Sequence, residues 1–399
     1  MADSLNRCSF CDKSKEQVGT LIVGSNVAIC NECVDLCQGL LADPKNKNKS
    51  QEKKLPTPDP KDVKEYLDQH IIGQDQAKRV LGVAIANHYK RINNPGGGIQ
   101  KANILMIGPT GTGKTLMAKT VAQYLKVPFV VADATTLTEA GYVGDDVESM
   151  IARLYTAAGG DIEQCQRGIV FLDEIDKIAR KSESATVSRD VSGEGVQQAL
   201  LKLVEGTRCK VPTQSTRKGT SADTVEIDTT DILFIAGGAF IGLDKIIQNR
   251  TQGTAMGFGA TIKSFNNADV DSVIPDDLVR YGMIPEFIGR FNNLVTLDGL
   301  TKDDLVLILT TVRGNIIGQY QWLFDQDGIA LEFEPESLEL IAERTLASKT
   351  GARGLHNELE RVLLPHMFDL PRYRKQNILQ VTINKEQVNT PMTLAQENS

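Results

Sequence analysis

The sequence predicts an α/β sandwich that is preceded by a small cysteine-bearing module and followed by a smaller α+β domain. Three observations support this prediction. Between residues 62 and 299, short and nearly continuous apolar runs alternate with helical patterns, which is typical of parallel strands covered on both faces by helices. After residue 300 a mainly helical segment contains two strand-like stretches. Five of the seven cysteines lie within the first 37 residues.

The chain is predicted to divide into four segments. Residues 1–42 form the cysteine-bearing module, residues 43–61 a linker, residues 62–299 the large α/β domain, and residues 300–399 the smaller domain with a C-terminal tail. The linker is rich in Lys and Pro and too polar to bury a core of its own, so we expect a solvated tether.

Seven apolar stretches are predicted to be strands. Five of them belong to the large domain and two to the smaller domain. The two strands of the smaller domain indicate an α+β lid. The predicted strands are Asn103–Ile107, Phe129–Ala132, Gly168–Leu172, Ile232–Ala236 and Leu294–Leu297, followed by Ala330–Phe333 and Leu379–Ile383.

Composition excludes several classes of protein. The chain of 399 residues has no run of 18 apolar residues, and its N-terminus lacks the apolar core of a signal peptide. The odd number of cysteines also argues against a disulfide framework, so we expect a cytoplasmic protein without a membrane anchor. The net charge of −7 argues against nucleic acid as the main partner, because phosphate binding needs a basic surface.

A phosphate-binding loop follows the first strand of the large domain and opens a helix at Leu116. Its sequence has the pattern G-x-x-x-x-G-K-[ST], in which backbone N–H groups surround the phosphates of a nucleotide. The loop residues are Gly108, Pro109, Thr110, Gly111, Thr112, Gly113, Lys114 and Thr115. We expect Lys114 to contact the β- and γ-phosphates of ATP and Thr115 to hold Mg²⁺.

A pair of carboxylates follows the third predicted strand. Apolar residues place Asp173 at the carboxyl end of this strand, where open α/β sheets bind their ligands. We expect Asp173 to hold Mg²⁺ through its water shell and Glu174 to polarise the attacking water. The pair therefore favours ATP hydrolysis over passive nucleotide binding.

The N-terminal cysteines indicate a zinc site. Cys8 and Cys11 form one C-x-x-C pair and Cys30 and Cys33 another, with 18 residues between the pairs. Two such pairs are typical of a structural Zn²⁺ site with four sulfur ligands. Cys37 is an alternative fourth ligand one helical turn after Cys33, and redox chemistry is the alternative for the pairs themselves. We prefer Cys33 and expect Cys37 to be a small buried residue.

These motifs together resemble the AAA+ ATPases and, among them, the ClpX family, over the chain from Cys8 to about Val388. The segment Ile71-Ile72-Gly73-Gln74 is similar to the family's adenine-pocket box and includes Ile72. Ile288-Gly289-Arg290-Phe291 is similar to its arginine-finger box, and Gly351-Ala352-Arg353-Gly354-Leu355 to its second sensor. The resemblance implies that Arg290 reaches the ATP of a neighbouring subunit and that Arg353 touches the γ-phosphate from the lid.

One position departs from the general AAA+ pattern. The fourth predicted strand ends in Gly237-Gly238, where many AAA+ proteins carry a polar first sensor. The sequence therefore assigns no residue to that role.

The resemblance also implies a function. Members of the ClpX family are ring-shaped unfoldases that thread protein substrates into the ClpP peptidase and act as chaperones without it. By this resemblance the chain forms a homo-hexamer, uses ATP, Mg²⁺ and Zn²⁺, and receives adaptors and some substrates through a zinc module that dimerises.

Three loops carry the implied contacts with substrate. Gly141-Tyr142-Val143-Gly144, which lies between helical stretches in our prediction, is similar to the loop that grips the polypeptide in the axial pore. A second pore loop includes Arg189. Arg217-Lys218-Gly219 occupies the place of the family's Arg-Lys-His at the pore entrance, so Gly219 replaces the usual His.

A fourth loop is implied to dock the peptidase. The segment Gln252–Ala260 has three glycines and no helical or strand period, which predicts an exposed loop. Met256-Gly257-Phe258 stands where the family has an Ile/Leu-Gly-Phe tripeptide that binds clefts on ClpP. A flexible Met side chain can fill such a cleft.

Two other classes of function remain open from the sequence. A nucleic-acid motor or loader is one, because many AAA+ proteins act on DNA; the acidic composition and the aromatic pore loop argue against it. A nucleotide-gated scaffold without hydrolysis is the other, and Glu174 and Arg290 argue against that. The related HslU unfoldases lack the N-terminal zinc pairs, so bound zinc would exclude that family.

Overall fold

The computed structural model describes residues 6–25, 27–42, 56–138, 145–180, 193–212, 224–253 and 273–390. The chain divides into two compact units, residues 1–56 and residues 57–399. Among the described residues, no helix has the length and the apolar character needed to cross a membrane.

The N-terminal unit consists of one hairpin and one helix. Strands β1 (Leu21–Val23) and β2 (Ala28–Cys30) pair in antiparallel register, and helix α1 (Asn31–Ala42) follows directly. Cys8 and Cys30 are buried while much of the surrounding apolar surface is exposed. A unit this small has few residues to form a core, so it depends on another source of stability.

The second unit is built on a parallel sheet of five strands. The order across this sheet is β11-β3-β10-β7-β4, and every neighbouring pair is parallel. The strands are β3 (Ile104–Ile107), β4 (Phe129–Asp133), β7 (Ile169–Asp173), β10 (Leu233–Gly238) and β11 (Asn293–Thr296). Most of their residues are buried, as the continuous apolar runs predict.

The register of the sheet places the ends of its strands along one edge. Asp133 is paired with Asp173, Gly238 with Ile107, and Ile107 with Thr296. The P-loop follows β3 at this edge, so the chemical groups at the carboxyl ends of three adjacent strands lie next to it.

Helices and small strands surround the sheet. The helices of this region are α2 (Pro60–Asp68), α3 (Asp75–Asn93), α4 (Lys114–Leu125), α5 (Ser149–Ala157), α6 (Ile162–Gln166), α7 (Glu194–Glu205), α8 (Leu243–Gly253), α9 (Pro275–Tyr281) and α10 (Pro285–Ile288). The short strands are β5 (Leu137–Thr138) with β6 (Asp145–Asp146) and β8 (Arg208–Pro212) with β9 (Thr224–Asp228).

Residues 300–390 form the lid, a smaller set of helices around two strands. Its elements are α11 (Lys302–Thr310), α12 (Ile316–Asp325), β12 (Ala330–Phe333), α13 (Pro335–Ala347), α14 (Arg353–Lys375), β13 (Gln380–Ile383) and α15 (Lys385–Asn389). Strands β12 and β13 are parallel, and the lid has a hydrophobic core of its own around Phe324, Leu355 and Ile383. The α+β character predicted from the sequence is therefore confirmed.

The structure differs from the sequence predictions at three element boundaries. Helix α2 begins at Pro60, inside the predicted linker, because Pro fits the first turn and Asp59 caps it by accepting a bond from the N–H of Lys61 at 2.8 Å. Helix α8 continues to Gly253, so Gln252 is helical rather than part of a loop. The segment that contains Tyr142 is flanked by β5 and β6 and not by helical stretches.

Candidate nucleotide site and metal centre

A cavity of about 640 Å³ lies where the P-loop, the carboxyl edge of the sheet and the lid meet. Its size is within the usual range for small-molecule sites. The lining includes P-loop residues 110–116, Ile72 from the segment before α3, Asp173 and Glu174 from the end of β7, and Arg353 from the lid. The structure thus brings together the predicted residues of the nucleotide site, which the sequence spreads over about 280 positions.

The P-loop has the backbone conformation that its glycines predict. Gly111 and Gly113 have φ values of +79° and +96°, which other residues adopt at a cost. Helix α4 begins at Lys114, so its unpaired N–H groups and partial positive charge face the loop. Gly108 and Pro109 contribute backbone carbonyls, which accept hydrogen bonds from the Lys114 ammonium at 2.7 and 2.9 Å.

Lys114 is buried in this loop. Burial lowers the pKa of its ammonium, while the negative charges of Asp173 and Asp176 act in the opposite direction. A phosphate group would give this ammonium an anionic partner in place of two neutral carbonyls, and such charge-assisted bonds are the stronger kind. The surroundings of Lys114 therefore fit an anionic ligand.

The two residues expected to hold Mg²⁺ lie side by side. The Thr115 hydroxyl donates to Asp173 Oδ2 at 3.0 Å. Adjacent ligands of an octahedral Mg²⁺ ion lie about 2.9 Å apart, given Mg–O distances of about 2.0–2.1 Å. Both the donor chemistry and the spacing fit one Mg²⁺ ion, held directly or through its waters.

Glu174 follows Asp173 in an uncommon backbone conformation. Its φ of +54° turns the chain out of β7, and its side chain is exposed at the cavity. The Glu174 N–H donates to Asp173 Oδ1 at 3.0 Å, which holds the turn in place. Strain of this kind in a residue other than Gly is frequent at functional sites.

The lid contacts the P-loop through the backbone. The Ala352 N–H donates to the Gly111 carbonyl at 3.1 Å, and a side chain on either Gly111 or Gly351 would collide with the opposite backbone. Arg353 is the first residue of α14 and lines the cavity, and its charge contributes to the lowered pKa of Lys114. Arg353 is therefore placed where an anionic ligand of Lys114 would also lie within its reach.

Apolar residues from both sides of the cleft form its other end. Ile72 lines the cavity, as do Ile308, Val312 and Ile316 of the lid. Lys78 fixes the neighbouring segment, because its buried ammonium donates to the Ile71 carbonyl at 2.7 Å. This apolar end suits the flat face of a nucleotide base, as expected for the adenine pocket.

The segment before α3 is also hydrogen-bonded to Asp298, which lies between β11 and the lid. Gln74 has a φ of +59°, and its side-chain amide both donates to the Asp298 carbonyl and accepts from the Asp298 N–H, each at 2.9 Å. These two bonds join the base end of the cleft to the start of the lid.

Arg290 lies away from this cavity and is absent from its lining in the described part of the chain. Its carbonyl accepts a bond from Asn103, which precedes β3, whereas the P-loop follows β3. The four residues of β3 span about 13 Å, so the strand separates Arg290 from the P-loop of its own chain. The Arg290 guanidinium forms an ion pair with Glu205 and is half exposed.

The four predicted zinc ligands are gathered in the N-terminal unit. The sulfur atoms of Cys8, Cys11, Cys30 and Cys33 all lie within 4.8 Å of one another, and those of Cys11 and Cys30 are 3.7 Å apart. A tetrahedral Zn²⁺ ion with Zn–S bonds of about 2.3 Å needs sulfur separations of about 3.8 Å. The cluster therefore fits zinc, and Cys37, half-buried on α1, is not part of it.

Backbone N–H groups support the sulfur cluster. The Cys30 N–H points to the Cys8 sulfur at 3.3 Å and the Cys33 N–H to the Cys30 sulfur at 3.4 Å. Burial alone would raise the pKa of the Cys8 thiol, but N–H donors from Phe10, Cys11 and Cys30 outweigh it and lower that pKa to about 6. Donors of this kind favour thiolates, the form that binds metal.

The predicted substrate and peptidase contacts lie outside the described residues. These are Tyr142, Val143, Arg189, Arg217 and Lys218 of the pore loops, and Met256, Gly257 and Phe258 of the docking loop.

Part of the cleft could not be predicted from the sequence. The lid residues that line it, among them Ile308, Val312 and Ile316, carry no motif, and only the fold brings them to the P-loop. Asp176 was also missed, although it follows Asp173-Glu174 by two positions and lines the same cavity. Its proximity in sequence to the carboxylate pair was a usable signal.

Comparisons with known proteins agree with this geometry. Residues 6–43 match the ClpX C4-type zinc finger, residues 99–294 the AAA domain of the Cdc48 subfamily, and residues 300–381 the C-terminal D2-small domain of ClpB. Over 390 residues the chain is 48% identical to the ATP-dependent Clp protease ATP-binding subunit ClpX of Treponema denticola. That alignment covers 96% of this chain and 93% of the relative.

Proposed function

The chain belongs to the ClpX family of AAA+ ATPases, and from this premise we propose that it unfolds proteins and threads them through a ring pore into the ClpP peptidase. As a ClpX-type AAA+ ATPase it hydrolyses ATP with Mg²⁺ and carries a zinc-binding module. In the proposed function it is the specificity component of a cytoplasmic Clp protease, and it acts as a chaperone when the peptidase is absent.

The observation that carries the proposal is the contact between P-loop and lid. The Ala352–Gly111 hydrogen bond joins the loop that receives the phosphates to the first turn of α14. A change in the P-loop when the phosphates bind or leave can therefore alter the position of the lid through this hydrogen bond. A motor needs such a route, because only a difference between nucleotide states can drive a change of conformation.

Within the site we propose the following roles. Residues 108–116 surround the phosphates, Thr115 and Asp173 hold Mg²⁺, and Ile72 packs against the adenine. Glu174 orients and polarises the attacking water, and Arg353 contacts the γ-phosphate from the lid. The 3.0 Å bond between Thr115 and Asp173 and the lining of the cavity support these assignments.

Hydrolysis in this proposal requires a ring of six subunits. Arg290 would complete the site of its neighbour, in which an arginine finger contributes about 10³–10⁵-fold to the rate in other phosphate-hydrolysing enzymes. Its location beyond the far end of β3 supports action in trans. A ring also creates the axial pore, in which Tyr142 and Val143 would push on the substrate. Arg189 would contact the substrate from the second pore loop, and Arg217 and Lys218 would contact it at the pore entrance.

The zinc module is proposed to dimerise and to receive adaptors and some substrates. Among the described residues of this small unit, five large apolar side chains are exposed by more than half, namely Phe10, Ile22, Val23, Val27 and Leu36. Exposed apolar surface on a soluble unit usually marks a contact with another molecule. A second copy of the same module would cover it.

Docking of the peptidase provides the test of the whole proposal. We propose that Phe258 and Met256 enter clefts on ClpP, weakly for each loop and tightly for several loops together. Phe258→Ala should abolish ClpP-dependent degradation of a folded fluorescent substrate and leave ATP-dependent unfolding of that substrate intact. Degradation at the wild-type rate by this variant would remove the loop from the docking role.

The same assay separates the proposal from its alternatives. A nucleic-acid motor would show ATPase activity that rises with added DNA and would leave the folded substrate intact. A passive scaffold would bind ATP without turnover. Unfolding of a stable protein that requires ATP hydrolysis is expected only of an unfoldase.

A further inference from the structure

Strand β10 ends without a side chain at the nucleotide site. Its last residues are Gly237 and Gly238, and Gly238 is the ladder neighbour of Ile107, directly before the P-loop. A Cβ atom on Gly238 would lie 2.8 Å from Asp176 Oδ1 and 2.6 Å from the Phe240 ring. A carboxylate therefore occupies the space that a side chain at this position would need.

Asp176 belongs to the 3-10 turn Ile175–Ile178 that follows Glu174. Its side chain is only 2% exposed, and its Oδ1 accepts a hydrogen bond from the Ala239 N–H at 3.1 Å. Its Oδ2 is buried and has no hydrogen-bond partner in the described part of the chain. The Lys177 ammonium is 3.9 Å from Oδ2, beyond hydrogen-bond distance, on a side chain that is half exposed.

A buried carboxylate oxygen without a partner is costly, and native proteins seldom leave one unpaired. Asp176 lines the same cavity as Lys114, Asp173 and Glu174. The cations of Lys114 and Arg353 also line it and offset the added negative charge. An anionic phosphate has no hydrogen to donate to this oxygen, whereas a water molecule has.

We propose that Asp176 is a positioning residue for ATP hydrolysis, whose Oδ2 accepts a hydrogen bond from the attacking water and so replaces the polar side chain that β10 lacks. The water oxygen forms a bond to the γ-phosphorus as the bond from that phosphorus to the β–γ bridging oxygen breaks. Glu174 takes one proton of the water. Asp176 accepts a hydrogen bond from the other hydrogen of the water. This inference rests on ATP hydrolysis at this site.

The test is Asp176→Asn, assayed for kcat and KM of ATP hydrolysis, for affinity to a non-hydrolysable ATP analogue with Mg²⁺, and for melting temperature. The amide oxygen can still accept from Ala239, but an NH₂ group replaces the free acceptor. A lost bond to a charged acceptor predicts a fall in kcat of about 10- to 150-fold. We expect the analogue affinity to stay within about threefold of wild type, since binding does not use this oxygen.

Lys177→Met is the matched control, because it removes the neighbouring ammonium and leaves the carboxylate in place. Lys177 also lines the cavity, but the variant should lose less kcat than Asp176→Asn; an equal loss in both variants would show that Asp176 acts by holding Lys177, and would overturn the proposal. Asp176→Ser is a second, smaller variant, expected to lose kcat in the same way.

Two further outcomes would also overturn the proposal. One is a wild-type kcat in either folded Asp176 variant. The other is a loss of analogue affinity and of melting temperature that accounts for the fall in kcat, which would indicate a structural role. A wild-type chain without ATPase activity would instead refute the function of the site itself, so the two failures are distinguishable.

Discussion

Gly351→Ala tests whether the contact between lid and P-loop controls ATP binding. Gly351 has a φ of +62°, and a Cβ atom there would lie 2.6 Å from the Thr110 carbonyl oxygen and 2.8 Å from Gly111 Cα. Both are backbone atoms of the P-loop and cannot rotate away. The lid must therefore move back, and Arg353 moves with it because it lies two residues further along.

The expected effect has two separable parts. An Ala residue in the left-handed region costs about 1–2 kcal/mol, which lowers the free energy of unfolding. In the proposed role of Arg353, its movement away from the γ-phosphate removes a charged hydrogen bond worth about 1.5–3 kcal/mol. That second part corresponds to an increase of about 10- to 150-fold in the Kd for ATP.

The assay is equilibrium binding of a fluorescent ATP analogue in the presence of Mg²⁺, together with denaturant unfolding. Gly328→Ala is the matched control, because Gly328 has a φ of +73° but no described atom lies within 4 Å of the place that a Cβ would take there. This control should lose a similar amount of stability and keep the wild-type affinity for ATP. Equal ATP affinity in the two variants would refute the reasoning.

Three other perturbations test the site and the proposed function. Glu174→Gln should bind ATP with nearly wild-type affinity and turn it over at least about 100-fold more slowly, because Lys114 remains while the water loses its base; wild-type turnover would refute the assignment. Removal of zinc by a chelator should unfold residues 6–42 while the ATPase unit keeps its circular dichroism and its melting temperature, since zinc contributes about 10–16 kcal/mol in small zinc peptides; metal analysis that finds no zinc would contradict the site. Tyr142→Ala should keep ATP hydrolysis and lose most unfolding of a stable substrate, because a methyl group offers little surface for grip; unfolding at the parental rate would argue against the pore role.

The sheet and the residues of the P-loop could be predicted from the sequence because each is encoded by a short, continuous pattern of residues. All seven predicted strands exist, within two residues at each end. Strands β3, β7 and β10 are buried on both faces, which requires continuous apolar runs. Gly111, Gly113 and Lys114 are equally local, because the loop needs glycines at positive φ directly before a helix. The four zinc ligands follow from spacing alone, as each pair forms one tight turn.

The ends of helices were harder to predict from the sequence where a single interaction outweighs the local composition. Pro60 lies in a polar, Pro-rich stretch that resembles a linker, but the Asp59 cap starts a helix there. Gly253 lies in a glycine-rich stretch, but α8 continues through it. Propensity is a weak guide at such positions because a single capping bond or the preceding turns of a helix outweigh it.

By itself, then, the sequence identified the candidate residues for the chemistry: Lys114 and Thr115 for the phosphates and Mg²⁺, Asp173 and Glu174 for hydrolysis, and the cysteine pairs for zinc. The tertiary structure decided how they are joined to the rest of the molecule. The Ala352–Gly111 bond and the apolar lid wall unite segments more than 200 positions apart, and no local pattern encodes such a pairing. The unpartnered oxygen of Asp176 became visible for the same reason, because burial and a missing hydrogen bond within the described chain are properties of its packing and not of its sequence.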